Sequence, residues 1–274
     1  MSSQFTFEPP ELREIELEVV EGDIVIMRIN RPDRMNSQTM RMFTEHGLVA
    51  RALRDTHARA LIVTGAGRRA FCAGFDLDEI DVITQLGVRD YLKLQETAAF
   101  GLAAIHALPF PVIAAVHGPA TGGGFGLALA CDIRLAAPTA KFSTAFVRVG
   151  LSIGELGVSW QLTRLVGPGR AAEIGYTGRV VEADEALRIG LVNRVVPAEQ
   201  LLDAALDLAR TISTNSPGGI KLSKRALQRN HEVGSYASAL ELENRGQALL
   251  TRTSDMTEAL AAFKEHREPR FTGR

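Results

Sequence analysis

The chain carries only two cysteines in 274 residues, Cys72 and Cys131. So few exclude a disulfide framework and fit a reducing compartment, with both thiols expected buried and free. An excess of one charge sign is also missing. There are 31 Lys and Arg against 32 Asp and Glu, a formal net charge of -1, so no overall basic field attracts nucleic acid or an anionic membrane. No apolar run approaches the roughly 20 residues of a membrane span. The glutamate-rich start, MSSQFTFEPPELREIELEVVEGD, lacks the basic region and apolar core of a secretory signal, and a cytoplasmic location is expected. Repeats and low-complexity segments are absent, and no His/Cys/Asp/Glu grouping has metal-ligand spacing, so no metal is expected. What is present, 46% hydrophobic and 23% charged residues, describes a soluble globular chain with a sizeable core in one large domain or two unequal ones.

Ile15 to Val20 and Ile24 to Ile29 alternate as strands, with Glu21-Gly22-Asp23 between them as a hairpin turn. After the break at Arg31-Pro32-Asp33, residues Met40, Phe43, Leu48, Ala52 and Leu53 recur with a helical period, and Ser37 is placed to cap that helix. Ala60 to Thr64 and Val112 to Val116 read as short buried strands, separated by a helix from Val88 to Leu108 that Pro109 ends. Ile133 to Ala136 and Val192 to Val196 are further strands, with helical patterns around them. The alternation predicts an α/β core over residues 1–200. Beyond it the strand signal disappears. Four helical segments, beginning at Ala198, Pro217, Tyr236 and Asp255, predict a C-terminal helical region, 201–274, whose apolar faces close over the core or pack on another subunit.

Gly122-Gly123-Gly124 stands directly before the apolar run Phe125 to Ala130. Glycine costs conformational entropy on folding, so three together require a turn, a packing contact or a ligand. Three patterns bear on the question. Gly65-Ala-Gly-Arg-Arg-Ala70 follows a buried strand like a dinucleotide fingerprint, but Gly74 interrupts the helix that would cradle pyrophosphate. Gly150-Leu-Ser-Ile-Gly154 matches a serine-hydrolase nucleophile elbow, with Asp184 and His231 or His266 as the later triad members, but Arg148 sits in the strand that should lead into it. The third pattern joins Ala73-Gly74-Phe75-Asp76 to the glycine triplet: each follows a buried strand and exposes backbone N–H groups, which together make an oxyanion hole.

Here the sequence resembles the enoyl-CoA hydratase/isomerase, or crotonase, superfamily. Ile29-Asn-Arg-Pro32, Ile62-Val-Thr-Gly65, Phe71-Cys-Ala-Gly-Phe-Asp-Leu77, Pro111 to Val116, Gly122-Gly-Gly124, Ala130-Cys-Asp-Ile133 and Gly190-Leu-Val-Asn193 carry the likeness, in order, over about residues 13 to 270. The resemblance implies an α/β spiral of ββα turns, followed by a helical region that builds a homotrimer or a dimer of trimers. It implies an acyl-CoA thioester as ligand, with no cofactor beyond the coenzyme A of the substrate. It assigns the oxyanion-hole donors to the N–H groups of Phe75 and Gly123, which stabilise an enolate as charge moves onto the thioester oxygen.

The family's hydratases carry two glutamates where this chain has Gly126 and Phe146. Two-glutamate hydration is therefore not expected. One carboxylate, Glu155 in Gly154-Glu-Leu-Gly157, lies in the loop where isomerase and dehalogenase relatives place a catalytic group. Acting alone, it would take a proton from one carbon and return it to another. Its other role is an N-terminal helix carboxylate that touches no substrate. Arg34 and Arg69 lie in segments that in the family run near the phosphates, and Lys264 and His266 in a tail that in some relatives reaches a neighbouring subunit's ligand. The acidic run Asp76, Asp78, Glu79 and Asp81 reads as a solvated helix start. Two functions remain open: an isomerase using Glu155, and a protein that binds acyl-CoA without turning it over. The serine hydrolase fits least.

Overall fold

The computed structural model describes residues 9–21 and 23–274. β1 (Ile15–Val20) and β2 (Ile24–Ile29) pair antiparallel, Ile15 opposite Ile29 and Val20 opposite Ile24. This is the expected hairpin; Gly22 of its turn lies outside the described residues. The chain then forms α1 (Met40–Arg54), β3 (Ala60–Gly65), α2 (Ile80–Gln85), α3 (Val88–His106), β4 (Val112–Val116), β5 (Pro119–Thr121) and α4 (Gly123–Ala130). β6 (Ile133–Ala136), β7 (Lys141–Ser143), α5 (Val158–Val166), α6 (Pro168–Thr177), β8 (Val181–Glu182), α7 (Ala183–Arg188) and β9 (Arg194–Val195) follow. The last part is helical: α8 (Leu201–Ser213), α9 (Pro217–Asn230), α10 (Tyr236–Leu250) and α11 (Ser254–Glu265).

Among the described residues, one sheet has the order β1-β2-β3-β4-β6-β9, parallel from β2 onward, and a smaller one the order β5-β7-β8. Both faces of the large sheet are covered, which is why β3 and β4 read as unbroken apolar runs. Leu61, Val63, Val112 and Ala114 join Val49, Leu53, Leu102 and Ile105 of α1 and α3 on one face. Ile62, Ile113 and Ala115 meet Leu201, Ala205 and Ala209 of α8 on the other. Each large aliphatic side chain so buried contributes about 1.5–3 kcal/mol. α8 is thus a layer of the core, and a boundary drawn after residue 200 cuts through packed contacts. Lys224 of α9, buried, bonds Asp132 at 2.7 Å and the Phe110 carbonyl at 3.0 Å, tying the next helix to the core. α10 buries no residue and exposes Tyr236 and Leu249, while α11 exposes Phe263.

Cys72 and Cys131 are free and buried, as expected, and burial pushes both thiols up to about 12. No helix among the described residues is long and apolar enough to cross a membrane.

Candidate active site

Two loops at the ends of β3 and β5 meet beside α4, and the segment after β2 fastens them. Met35 and Asn36 both adopt positive φ, 53° and 55°, a conformation asparagine tolerates better than most residues. The Asn36 amide then donates to the carbonyls of Ala66 at 2.9 Å and Ala70 at 2.8 Å, clamping the loop after β3. Gln38 N donates to Gly74 O at 2.7 Å, and Asp76 N donates to Gln38 O at 2.8 Å. These two bonds bracket Phe75. Its own N–H faces away from Gln38 and has no acceptor among the described residues.

The second loop runs alongside. Cys72 N donates to Pro119 O at 3.1 Å and Thr121 N to Cys72 O at 3.0 Å, so the segments run parallel and in step. The pairing ends where α4 begins at Gly123; Gln38, whose backbone pairs with Phe75, lays its side chain against Gly123, so both residues border Gln38. As the first residue of α4, Gly123 has no acceptor for its N–H among the described residues, and the positive end of the helix dipole lies there. Neither N–H is thus claimed by the chain itself among the described residues.

Each glycine of the triplet has its own reason. Gly122 has φ 52° and ψ -118°, which other residues rarely adopt. A Cβ at Gly124 would lie 2.7 Å from Cys72 Cβ and Sγ and closer still to Cys72 O. A Cβ at Gly123 would run into Gln38 Oε1 and lie 3.2 Å from Leu156 Cδ1. Backbone packing on Cys72 excludes a side chain at 124, whereas the neighbours at 123 are side-chain ends of Gln38 and Leu156.

An ionic group supports the first loop. Asp76, 5% exposed, accepts from Asp78 N at 3.1 Å, from Ser37 Oγ at 3.0 Å and from Arg31 Nη1 at 2.7 Å. Burial pushes its carboxyl up, but Arg31, Ser37 and the nearby Arg34 outweigh this and hold it below its ordinary value. Asp76 caps its local turn, buried and ion-paired where the acidic run reads from sequence as solvated. Ser37 belongs to this network and does not cap α1; Thr39 does, accepting from Met42 N at 3.0 Å.

Glu155 lies on the loop before α5, half-buried, in a cavity of about 480 Å³ that Tyr91, Gln95, Ala99, Leu151 and Leu156 also line, within the size range of small-ligand sites. Burial raises its carboxyl above the ordinary value, opposed by a hydrogen bond from Gln95 Nε2 at 3.3 Å. Leu156, at φ 50°, is turned so that its side chain packs on Gly123 and Gly126. The carboxylate is thus one residue away from a side chain that packs on the start of α4. A larger hollow of about 750 Å³ lies beneath the C-terminal tail, lined by Asp255, Glu258, Arg267 and Arg270. Glu258 pairs there with Arg267, and none of the loop residues reaches it.

These loops have counterparts. A family model described as enoyl-CoA hydratase/isomerase matches residues 20–274. This chain belongs to the enoyl-CoA hydratase/isomerase family. It is 41% identical over 256 residues to a probable enoyl-CoA hydratase of Mycobacterium bovis, covering 91% of this chain and 90% of that one. It is 37% identical to the 1,2-epoxyphenylacetyl-CoA isomerase of Escherichia coli, covering 96% and 100%. The crystal structure of an enoyl-CoA hydratase from Bacillus anthracis superposes with a TM-score of 0.90 at 33% identity, covering 96% of this chain and all of that one. The crotonase fold expected from the motif series is therefore the fold of this family member.

The two positions that the resemblance assigns to hydratase glutamates are apolar and filled. A Cβ at Gly126 would meet Leu156 Cβ at 3.3 Å and Val158 Cγ2 at 3.4 Å. Phe146 is 8% exposed, with its ring against Gly122. Ser152 is exposed on a loop preceded by a 3-10 turn, and its Oγ accepts from Gly154 N at 3.1 Å; the buried strand a nucleophile elbow needs is not there. β3 leads into an extended loop, so the dinucleotide pattern has no helix. Of the phosphate candidates, Arg34 is engaged with Asp78, and Arg69 is exposed without an ion pair among the described residues. Lys264 and His266 are exposed at the end of α11, and neither is among the residues lining the Glu155 cavity. Sequence reasoning missed Arg31, Gln38, Tyr91 and Gln95.

Proposed function

We propose that this protein is an acyl-CoA isomerase that moves a double bond through a thioester enolate, with Glu155 as its single acid/base. The observation that carries this reading is the position of Glu155: its half-buried carboxyl shares a cavity with Leu156, which packs on Gly123. In a 3-enoyl-CoA, the Glu155 carboxylate takes a proton from Cα. The electron pair moves through the carbonyl, and negative charge collects on the thioester oxygen. The N–H groups of Phe75 and Gly123 donate to that oxygen; removal of such a donor costs roughly 3–4 kcal/mol of transition-state stabilisation. The carboxylic acid then returns its proton to Cγ, giving the 2-enoyl ester and restoring the carboxylate. Burial, which raises the carboxyl, suits a group that both accepts and donates a proton.

No cofactor beyond the coenzyme A of the substrate takes part. The exposed apolar residues of α10 and α11 support assembly into a homotrimer or a dimer of trimers, and the near-neutral charge supports a cytoplasmic protein with no nucleic-acid partner. The filled positions at Gly126 and Phe146 favour a second reading, binding without turnover. Mass spectrometry of 2-enoyl- and 3-enoyl-CoA esters after incubation separates the outcomes. Isomerisation leaves the mass unchanged and moves the double bond. Hydration adds the mass of one water and contradicts the proposal, while unchanged but bound esters support the second reading.

A further inference from the structure

The loop that carries Glu155 is anchored by its apolar side chains Ile153 and Leu156, which pack on the core. It begins after Gly150 at φ 80° and ends at Leu156 and Gly157 with φ 50° and 76°, and residues 151, 152 and 154 are exposed. The side-chain hydrogen bond to the Glu155 carboxylate comes from α3, where Tyr91 and Gln95 stand four residues apart and so share a face. Gln95 Nε2 has two hydrogens: one goes to Tyr91 Oη at 2.6 Å, the other to Glu155 Oε2 at 3.3 Å. Both donors are spent, and the hydroxyl fixes the rotation of the amide.

Resting on the reading of Glu155 as the acid/base, we propose that Gln95 is a positioning residue, whose carboxamide, braced by the Tyr91 hydroxyl, fixes the direction of the Glu155 carboxylate within the cavity. A donor to a carboxylate also favours its charged form, so Gln95 counters the effect of burial. Tyr91 and Glu96 are the other titratable groups lining the cavity, and among the described residues no cation contributes to holding the Glu155 carboxyl charged. Gln95 therefore governs both where the base points and the pH at which it is ready. At 3.3 Å the bond is longer than a charge-assisted bond in its tightest form, as catalytic contacts often are before substrate binds.

The test titrates the Glu155 carboxyl by carbon-13 NMR, its signal assigned by its disappearance in Glu155→Gln, and measures isomerisation of a 3-enoyl-CoA against pH. Wild type, Gln95→Leu and Tyr91→Phe are compared. In Gln95→Leu the titration midpoint and the acid limb of kcat move to higher pH. Its kcat falls about tenfold, the scale of a modest misplacement, while KM changes less than about twofold. Tyr91→Phe shifts the same quantities in the same direction by less. Gln95→Asn, which keeps the amide but is too short to reach, reproduces Gln95→Leu and serves if that variant does not fold. A folded Gln95→Leu with unmoved midpoint and unchanged kcat overturns the inference, as does a change confined to KM. Turnover retained in Glu155→Gln removes the underlying reading and this inference with it, whereas turnover lost there with an unmoved Gln95→Leu midpoint removes this inference alone.

Discussion

Gly124→Ala tests whether packing at the start of α4 sets the geometry of the free N–H groups. The new methyl would lie 2.7 Å from Cys72 Cβ and Sγ, where ordinary contact needs about 3.5–4.0 Å. Cys72 O, closer still, cannot swing aside, because it accepts from Thr121 N at 3.0 Å in the parallel pairing of the two loops. α4 and the loop must therefore separate by about 1 Å. Overpacking of this kind costs about 1–3 kcal/mol, and a rigid backbone neighbour puts this site near the upper end. The melting temperature should fall by about 6 °C or more. Gly123 moves with the helix, and a displacement of about 1 Å can cost 10²-fold in rate. Gly126→Ala is the comparison: its methyl would meet side chains at 3.3 to 3.5 Å, and the gain in helix propensity, about 1 kcal/mol, offsets the crowding. Thermal unfolding and deuterium exchange into an acyl-CoA, measured on both variants, read the two effects. A Gly124→Ala protein with wild-type melting temperature and exchange rate would refute the packing argument.

Three further outcomes are expected. His46, wholly buried between α1 and α3 without a hydrogen-bond partner among the described residues, is pushed down to about 4 by burial. Its folded value lies below the ordinary 6.5, so the unfolded chain binds the extra proton and stability declines as pH falls from about 6.5 to 4, by about 3 kcal/mol in all; denaturant titrations across that window should show His46→Leu lacking this part of the slope. Gln38 is fully buried with both amide atoms unpartnered, so Gln38→Leu should raise stability by about 1–2 kcal/mol; a lower unfolding midpoint would contradict this. Arg31→Met strips the principal cation from buried Asp76 and should cost about 3 kcal/mol, read by the same titration, with Arg31→Lys losing less.

Legibility followed the range of the physics. β1, β2, β4 and β6 have the bounds expected from sequence because each is an alternating or continuous apolar run between clear breaks, and α9 and α10 begin at Pro217 and Tyr236 as expected. β5, β7 and β8 have two or three residues each and no period to detect. α8 has an apolar stripe that sequence reveals, but the stripe does not say whether a sheet or a second subunit covers it. Ser37 looks like a cap because its residue type is right; its hydroxyl is claimed by Asp76, 39 residues away. Phe75 and Gly123 were nominated because family motifs mark them, whereas Gln95 sits in an ordinary helical pattern, and only the fold brings it to Glu155 across 60 residues. The close neighbours of the glycine triplet are Phe146, Gln38, Leu156 and Cys72, all distant in sequence and brought there by the fold.

The central claim is that Glu155 moves the proton of an enolate held by Phe75 and Gly123. Mass spectrometry of 3-enoyl-CoA in heavy water, wild type against Glu155→Gln, tests it most directly. The account predicts deuterium uptake with double-bond movement in the wild type and the loss of both in Glu155→Gln, while the ester still binds. Deuterium uptake at the wild-type rate in Glu155→Gln would contradict it.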